Sequence, residues 1–175
     1  FEADFCPNSY GFRPKQSAHD AVDDIADALH QGYTNVIDAD LSKYFDSIPH
    51  AKLLAAVAER VVDSAILHVI KLWLKAPVIG EDEDGTRKNV GGGKANSKGT
   101  PQGGVISPLL ANCYLHLLDR IWDKHQLRRK LQAHIVRYAD DFVVLCRGKV
   151  ETPLAAVRHV LDRLDLTLNE SKTHI

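Results

Sequence analysis

The stretch Ile135 to Leu145, Ile-Val-Arg-Tyr-Ala-Asp-Asp-Phe-Val-Val-Leu, constrains the fold more than any other, because it sets two adjacent acids between two apolar runs. Both runs are rich in β-branched and aromatic residues, which suit the pleated, half-buried surface of a sheet. They predict two short strands with Ala139, Asp140 and Asp141 at or near the turn between them. By themselves, two acids at a hairpin tip are ordinary solvated turn residues, since Asp accepts turn geometry readily.

A second acid-bearing strand argues for more than a turn. Asn35 to Leu41 reads as a buried segment interrupted by Asp38 and Asp40, and it runs into Tyr44-Phe45-Asp46. Side chains alternate across a strand, so Asp38 and Asp40 share a face, with Asp40 nearer the end. A carboxylate at a strand end facing an Asp-Asp hairpin offers an oxygen cage for Mg²⁺, which takes one or two carboxylates together with substrate phosphates. Two such ions about 3.5–4 Å apart are the usual device for in-line displacement at phosphorus.

The remaining elements follow from local chemistry. Ser17 is expected to open a helix with Ala18, Ala21, Val22, Ile25, Ala26 and Leu29 inward and Gly32 just past its end. Pro49 starts a second helix capped by Asp46 or Ser47, and Asp63 caps a third over Ser64 to Lys75. Between Pro77 and Lys98, the Asp84-Gly85 turn and the glycines at 91 to 93 suggest a hairpin or loop. Ser107-Pro108 opens a helix over Leu109 to Asp123, Thr152 caps another begun by Pro153, and Leu166 to Asn169 reads as a returning strand. Strands interleaved with helices around an acid hairpin give an α+β architecture with antiparallel pairing.

Composition limits the function classes. A chain of 175 residues that is 45% hydrophobic can bury a core and suits one domain or two small lobes. It contains no Met, so it is expected to be a piece of a longer protein. No apolar run is long enough to span a bilayer and no leader stands at Phe1, which gives no sign of secretion or membrane insertion and points to the cytoplasm. Cys6, Cys113 and Cys146 lack C-x-x-C spacing and read as incidental or buried thiols of a reducing compartment. The nine histidines show no zinc-binding spacing. A net charge of −1 counts against a nucleic-acid binder that uses its whole surface. Local basic patches remain at Arg13-Lys15, Arg87-Lys88, Lys94-Lys98 and Lys124-Lys130, each ordinarily a solvated face.

Four blocks, in order, carry a resemblance: Tyr10-Gly11-Phe12-Arg13-Pro14; Asp40 with Phe45-Asp46; Gly99-Thr100-Pro101-Gln102-Gly103-Gly104-Val105-Ile106-Ser107-Pro108-Leu109-Leu110-Ala111-Asn112; and Tyr138-Ala139-Asp140-Asp141. Together they resemble the reverse transcriptases encoded by bacterial and organellar group II introns, over nearly the whole chain. The resemblance implies a polymerase palm, its antiparallel sheet packed on helices, over residues 33–47 and 99–175. It also implies a partial fingers lobe over 1–32 and 48–98, with the thumb absent.

Under that resemblance Asp40, Asp140 and Asp141 are the catalytic, metal-holding acids for two Mg²⁺ ions, with Mn²⁺ as a substitute. Asp38 shares the face but does not match the family's ligand position. Phe45 matches the aromatic that blocks a ribonucleotide 2′-hydroxyl, Gln102 the residue against the nascent base pair, and Gly103 a point of close nucleic-acid passage. Arg13, Tyr138 and Lys172 are the further nucleotide or template contacts, Lys172 as a general acid or charge stabiliser near pyrophosphate. The partners implied are an RNA template, a DNA or RNA primer, a dNTP and the parent group II intron RNA, in a bacterial cytoplasm or an organelle. Each residue also has a bland role: Phe45 as core, Arg13 as an anchor for the acidic helix, Lys172 as an exposed lysine, and Ser107-Pro108 as a plain helix start. Two alternatives stay open, a non-catalytic RNA-binding module that assists intron splicing, and a retron or CRISPR-associated reverse transcriptase.

Overall fold

The computed structural model describes residues 1–81, 84–101 and 103–175. In chain order the elements are α1 (Ala18–His30), β1 (Asn35–Ala39), α2 (Tyr44–Ser47), α3 (His50–Ala58), α4 (Ser64–Leu74), β2 (Val78–Glu81) and β3 (Arg87–Gly91). They continue as α5 (Ser107–Lys124), α6 (Leu127–Lys130), β4 (Ala133–Tyr138), β5 (Asp141–Cys146) and α7 (Glu151–Arg163). The expected α+β architecture is present, with β2 and β3 forming their own antiparallel pair apart from a three-stranded sheet of order β1-β5-β4.

Register in that sheet decides everything about the site. β1 and β5 run antiparallel with Asp38 opposite Val143 and Ala39 opposite Phe142, and β5 pairs with β4 so that Val143 faces Val136 and Asp141 faces Tyr138. Alternation therefore sorts the sheet into two faces. Ile37, Ala39, Phe142, Val144, Cys146, Ala133 and Ile135 point into the main core with Leu53, Leu115, Leu118 and Leu161 of α3, α5 and α7. Fully buried leucines such as Leu115 and Leu118 each contribute roughly 1.5–3 kcal/mol of burial. On the other face Val36, Leu145 and Val136 pack under Ala21, Ile25, Ala28 and Tyr33. That second cover stops short. Along this face the rows are Val36-Leu145-His134, then Asp38-Val143-Val136, and then the Asp141-Tyr138 pair, with Asp40 directly after the end of β1.

Two segments outside the named strands flank the sheet. Beside β4, the Arg137 N–H donates to the Asn8 carbonyl at 2.8 Å and the Tyr10 N–H to the Arg137 carbonyl at 2.9 Å. Beside β1, bridges join Asp38 to His174 and Leu41 to Leu168, so the expected returning strand is a pair of isolated bridges rather than a regular element.

Several local expectations are met and several are corrected. Ser17 caps α1 through a full capping box with Asp20, and Asp63 caps α4 by accepting from the N–H groups of Ala65 and Ile66. The buried stripe of α1 is displaced from the expected one, because Val22 and Leu29 are 60% and 41% exposed. Asp24 takes an inward place instead, accepting from Tyr10 Oη at 3.0 Å and meeting His134 Nε2 at 2.8 Å. Burial opposes its charge, yet bonds from His134 and Tyr10 hold the Asp24 carboxyl below its ordinary range. Pro49 is itself the N-cap of α3, while Ser47 Oγ turns back to the Tyr44 carbonyl, so neither Asp46 nor Ser47 caps that helix. Likewise α7 begins at Glu151 with Val150 as N-cap, which puts Thr152 inside the first turn. The three cysteines are free, with Cys113 and Cys146 buried.

Candidate active site

The acid hairpin turns through Ala139 and Asp140, because Tyr138 and Asp141 are the last paired residues of β4 and β5. Ala139 has φ 58° and Asp140 is not in the left-handed region, the pattern of a turn with positive φ at its first central position only. For a residue with a Cβ that conformation costs energy, so the surroundings must hold it. They do so from below. Arg137, 0% exposed, points into the core, donates to the Ala139 carbonyl at 2.7 Å and to Asn112 Oδ1 at 3.0 Å, and pairs with buried Asp119 through Nη2 to Oδ2 at 2.7 Å. Asn112 Nδ2 donates in turn to the Gly11 carbonyl at 2.8 Å. Gly11 lies flat on the turn: a Cβ there would sit 2.3 Å from the Ala139 nitrogen.

Above this support, Asp141 begins β5, Asp140 adjoins it in the turn, and Asp40 directly follows β1, the strand beside β5. Lost hydration, and then the charges of Asp140, Asp40 and Asp38, push the Asp141 carboxyl above its ordinary range, with Lys172 opposing. Asp40 is the best anchored of the acids: its Oδ2 accepts from Asn169 Nδ2 at 2.9 Å and lies 3.7 Å from Lys172 Nζ. Among the described residues, no three His, Cys, Asp or Glu side chains close into a metal-binding group. The donor set nonetheless fits a hard divalent cation in kind and charge: carboxylates whose mutual repulsion such an ion would relieve.

The other expected contacts divide into two groups. Tyr138 lies exposed in the row of Asp141. Phe45 is partly buried against the main core with its ring edge-on to Tyr44 at 5.6 Å, while Tyr44 Oη is fixed by the Ala111 carbonyl at 2.7 Å. The loop from Gly99 docks on this corner, the Thr100 N–H donating to the Phe45 carbonyl at 2.7 Å. Gly103 has φ 79° with open space where a Cβ would stand, and Gln102 lies outside the described residues. Lys172 is 67% exposed.

Arg13 is engaged within the N-terminal segment. Its guanidinium bonds Glu2 and the carbonyls of Cys6 and Ser9 and lies over the Phe5 ring at 5.3 Å, so it ties the N-terminal segment together. Among the described residues its bonds do not go to α1, so it is not the anchor of that helix. Sequence reasoning missed Arg137, Asp119, Asn112 and Asn169. The only signal for the first was a charged residue at an inward strand position, alternating with Ile135. A cleft of about 790 Å³ along the β4 edge, with Tyr10, Asp24, Trp122 and His134 in its lining, includes none of Asp40, Asp140 and Asp141.

Comparison with known proteins agrees with the fold and extends it. Residues 1–175 match the family model described as "Reverse transcriptase (RNA-dependent DNA polymerase)". Protein YkfC of Escherichia coli is 34% identical over the whole of this chain, which covers 53% of that protein. The group II intron-encoded protein LtrA of Lactococcus lactis is 37% identical over 69% of this chain and 18% of its own length. The chain thus spans about half, or less, of the relatives it matches. Telomerase from Candida albicans, solved with a fragment of telomeric RNA, superposes with a TM-score of 0.69 over 99% of this chain and 32% of that one, at 14% identity, a likeness of fold.

Proposed function

Because this chain belongs to the reverse transcriptase (RNA-dependent DNA polymerase) family, with group II intron-encoded proteins among its relatives, we propose that it carries the palm and part of the fingers of an RNA-directed DNA polymerase serving intron mobility. The reaction is attack of a primer 3′-hydroxyl oxygen on the α-phosphorus of a dNTP, forming that P–O bond, breaking the bond to the bridging β-oxygen and releasing pyrophosphate. The observation that supports the reading is the exposed Asp141-Tyr138 pair at the end of the sheet, with Asp140 in the turn beside it and the charge of Asp40 felt at Asp141.

Asp40, Asp140 and Asp141 hold the divalent cations, two Mg²⁺ with Mn²⁺ as a substitute. Bound there, such ions neutralise charge on the phosphates and favour the ionised hydroxyl. Tyr138 presents a ring face on which a base can stack. Phe45, held by Tyr44 and the loop at Thr100, limits space under the incoming sugar. Gly103, with open space in front of it, lets nucleic acid approach the backbone, and Lys172 offers positive charge toward the leaving group. Arg128, Arg129 and Lys130, all exposed on α6, extend the reading to phosphates of the parent intron RNA.

The test is primer extension on an RNA template by the full-length protein. Asp40→Asn and Asp140→Asn should each abolish extension while leaving the thermal transition in place. Extension at parental rate by either variant overturns the polymerase reading and leaves a splicing-assistance module, to be scored by intron splicing with the same variants.

A further inference from the structure

The turn that follows α7 grips residue 40 twice. The Asn169 N–H donates to the backbone carbonyl of Asp40 at 2.8 Å, and the Asn169 side-chain amide donates to Asp40 Oδ2 at 2.9 Å. The segment's register is fixed on either side of this point. The Ser42 N–H bonds the Thr167 carbonyl, and Asp38 and His174 exchange a pair of backbone bonds. Asn169 is itself locked: its carbonyl accepts from the N–H groups of Lys172 and Thr173, and its Oδ1 accepts from Ser171 Oγ at 2.8 Å. A carboxylate can only accept, so the amide end facing Asp40 must be Nδ2, and the Ser171 hydroxyl satisfies the other end.

We propose that Asn169 is the positioning residue of Asp40. Its amide occupies Oδ2 and fixes the carboxylate plane, so that Oδ1, without a hydrogen bond among the described residues, is the oxygen presented toward the cation. This rests on the polymerase reading of the acids and deepens it. A free carboxylate at a strand end rotates about two bonds, and the ordering cost would otherwise be taken from each binding event. Outer-shell partners of this kind orient ligands and tune their basicity, and losing one typically costs about 10–100-fold in metal affinity or activity. The same geometry places Lys172 Nζ 3.7 Å from the same oxygen. The Asn169-to-Thr173 turn thus carries a hydrogen-bonded neutral donor at 2.9 Å and an exposed cation at the longer distance of 3.7 Å on the same oxygen.

The test uses the full-length protein and Mn²⁺ alone, with free ion followed by electron paramagnetic resonance in the absence of nucleic acid and nucleotide. Asn169→Ala is expected to weaken Mn²⁺ binding about tenfold or more, and to raise the Mg²⁺ concentration for half-maximal extension in parallel, with KM for dNTP at saturating Mg²⁺ little changed. Ser171→Ala, at an exposed position, frees the amide without removing it and should give a smaller loss in the same order. Parental Mn²⁺ binding in both variants overturns the proposal, provided Asp40→Asn, run alongside, loses both binding and extension. Should Asp40→Asn extend normally, it is the polymerase reading that falls. A purely structural role for Asn169 would lower the thermal midpoint while leaving Mn²⁺ affinity of the folded protein unchanged, and that result also overturns the proposal.

Discussion

Replacing Asp119 by Leu tests the buried support under the acid turn. Arg137 has no exposure and Asp119 is 2% exposed; the guanidinium reaches both carboxylate oxygens, Nε at 3.3 and 3.2 Å and Nη2 at 2.7 Å. Leucine is close to Asp in length and accepts nothing, so the substitution strands a cation that cannot reach water without dragging β4 and the Ala139 turn with it. Removing one partner of such a pair costs about 3–5 kcal/mol, which in a domain of this size lowers the thermal midpoint by roughly 6–20 °C. Urea unfolding measures it directly, with the slope unchanged if the native fold persists. Arg158→Ala, which breaks the exposed pair with Glu170 at 2.9 Å, is the matched control and should cost less than about 1 kcal/mol. The cycle completed by Arg137→Met and the double variant should show a coupling of about 2 kcal/mol or more. A cost below about 1 kcal/mol for Asp119→Leu, or a cycle that closes additively, would refute the claim that this pair holds the turn.

Further outcomes follow from the same geometry. Gly11→Ala drives a Cβ to 2.3 Å from the Ala139 nitrogen, and should destabilise by about 1–3 kcal/mol as overpacked sites do, read by thermal unfolding together with loss of primer extension. Asp141→Asn removes one anion from beside Asp140 and Asp40, so the metal-free protein should gain about 0.2–1 kcal/mol at neutral pH while extension is lost. The sign follows from linkage. A carboxyl raised in the folded state favours folding when protonated, so its penalty is absent below the ordinary carboxyl range and appears as pH rises through the raised value. The gain from Asp141→Asn should therefore vanish in acid, and a gain independent of pH would count against the repulsion. Phe45→Val should raise ribonucleotide use relative to deoxynucleotide, and unchanged sugar discrimination would return Phe45 to the core.

What was legible in the sequence was local. The β4–β5 hairpin shows in its apolar runs, and the starts of α1 and α4 in Ser17 and Asp63. Long-range compensation was not legible. The inward face of α1 was misread because Asp24, polar by type, is satisfied only by Tyr10 and His134 from distant parts of the chain. Arg13 looked available because Glu2 and the carbonyls it binds are brought to it by the fold. Asn169 reads as the end of a returning strand, because nothing 129 positions away in sequence announces that it meets Asp40. Thr152 and Ser47 had good capping chemistry at the wrong registers, as the true N-caps, Val150 and Pro49, make no side-chain bond.

The two flanking segments also decide how the protein behaves when cut. A sheet of only three strands would leave a row of open amides along β1 and another along β4, each a template for a second molecule. Residues 8–10 and 167–174 blunt those rows with irregular backbone that another copy cannot continue as a strand. A version trimmed at either end would therefore be lost first to self-association, at a rate that climbs with concentration, before any deficit in chemistry could be measured.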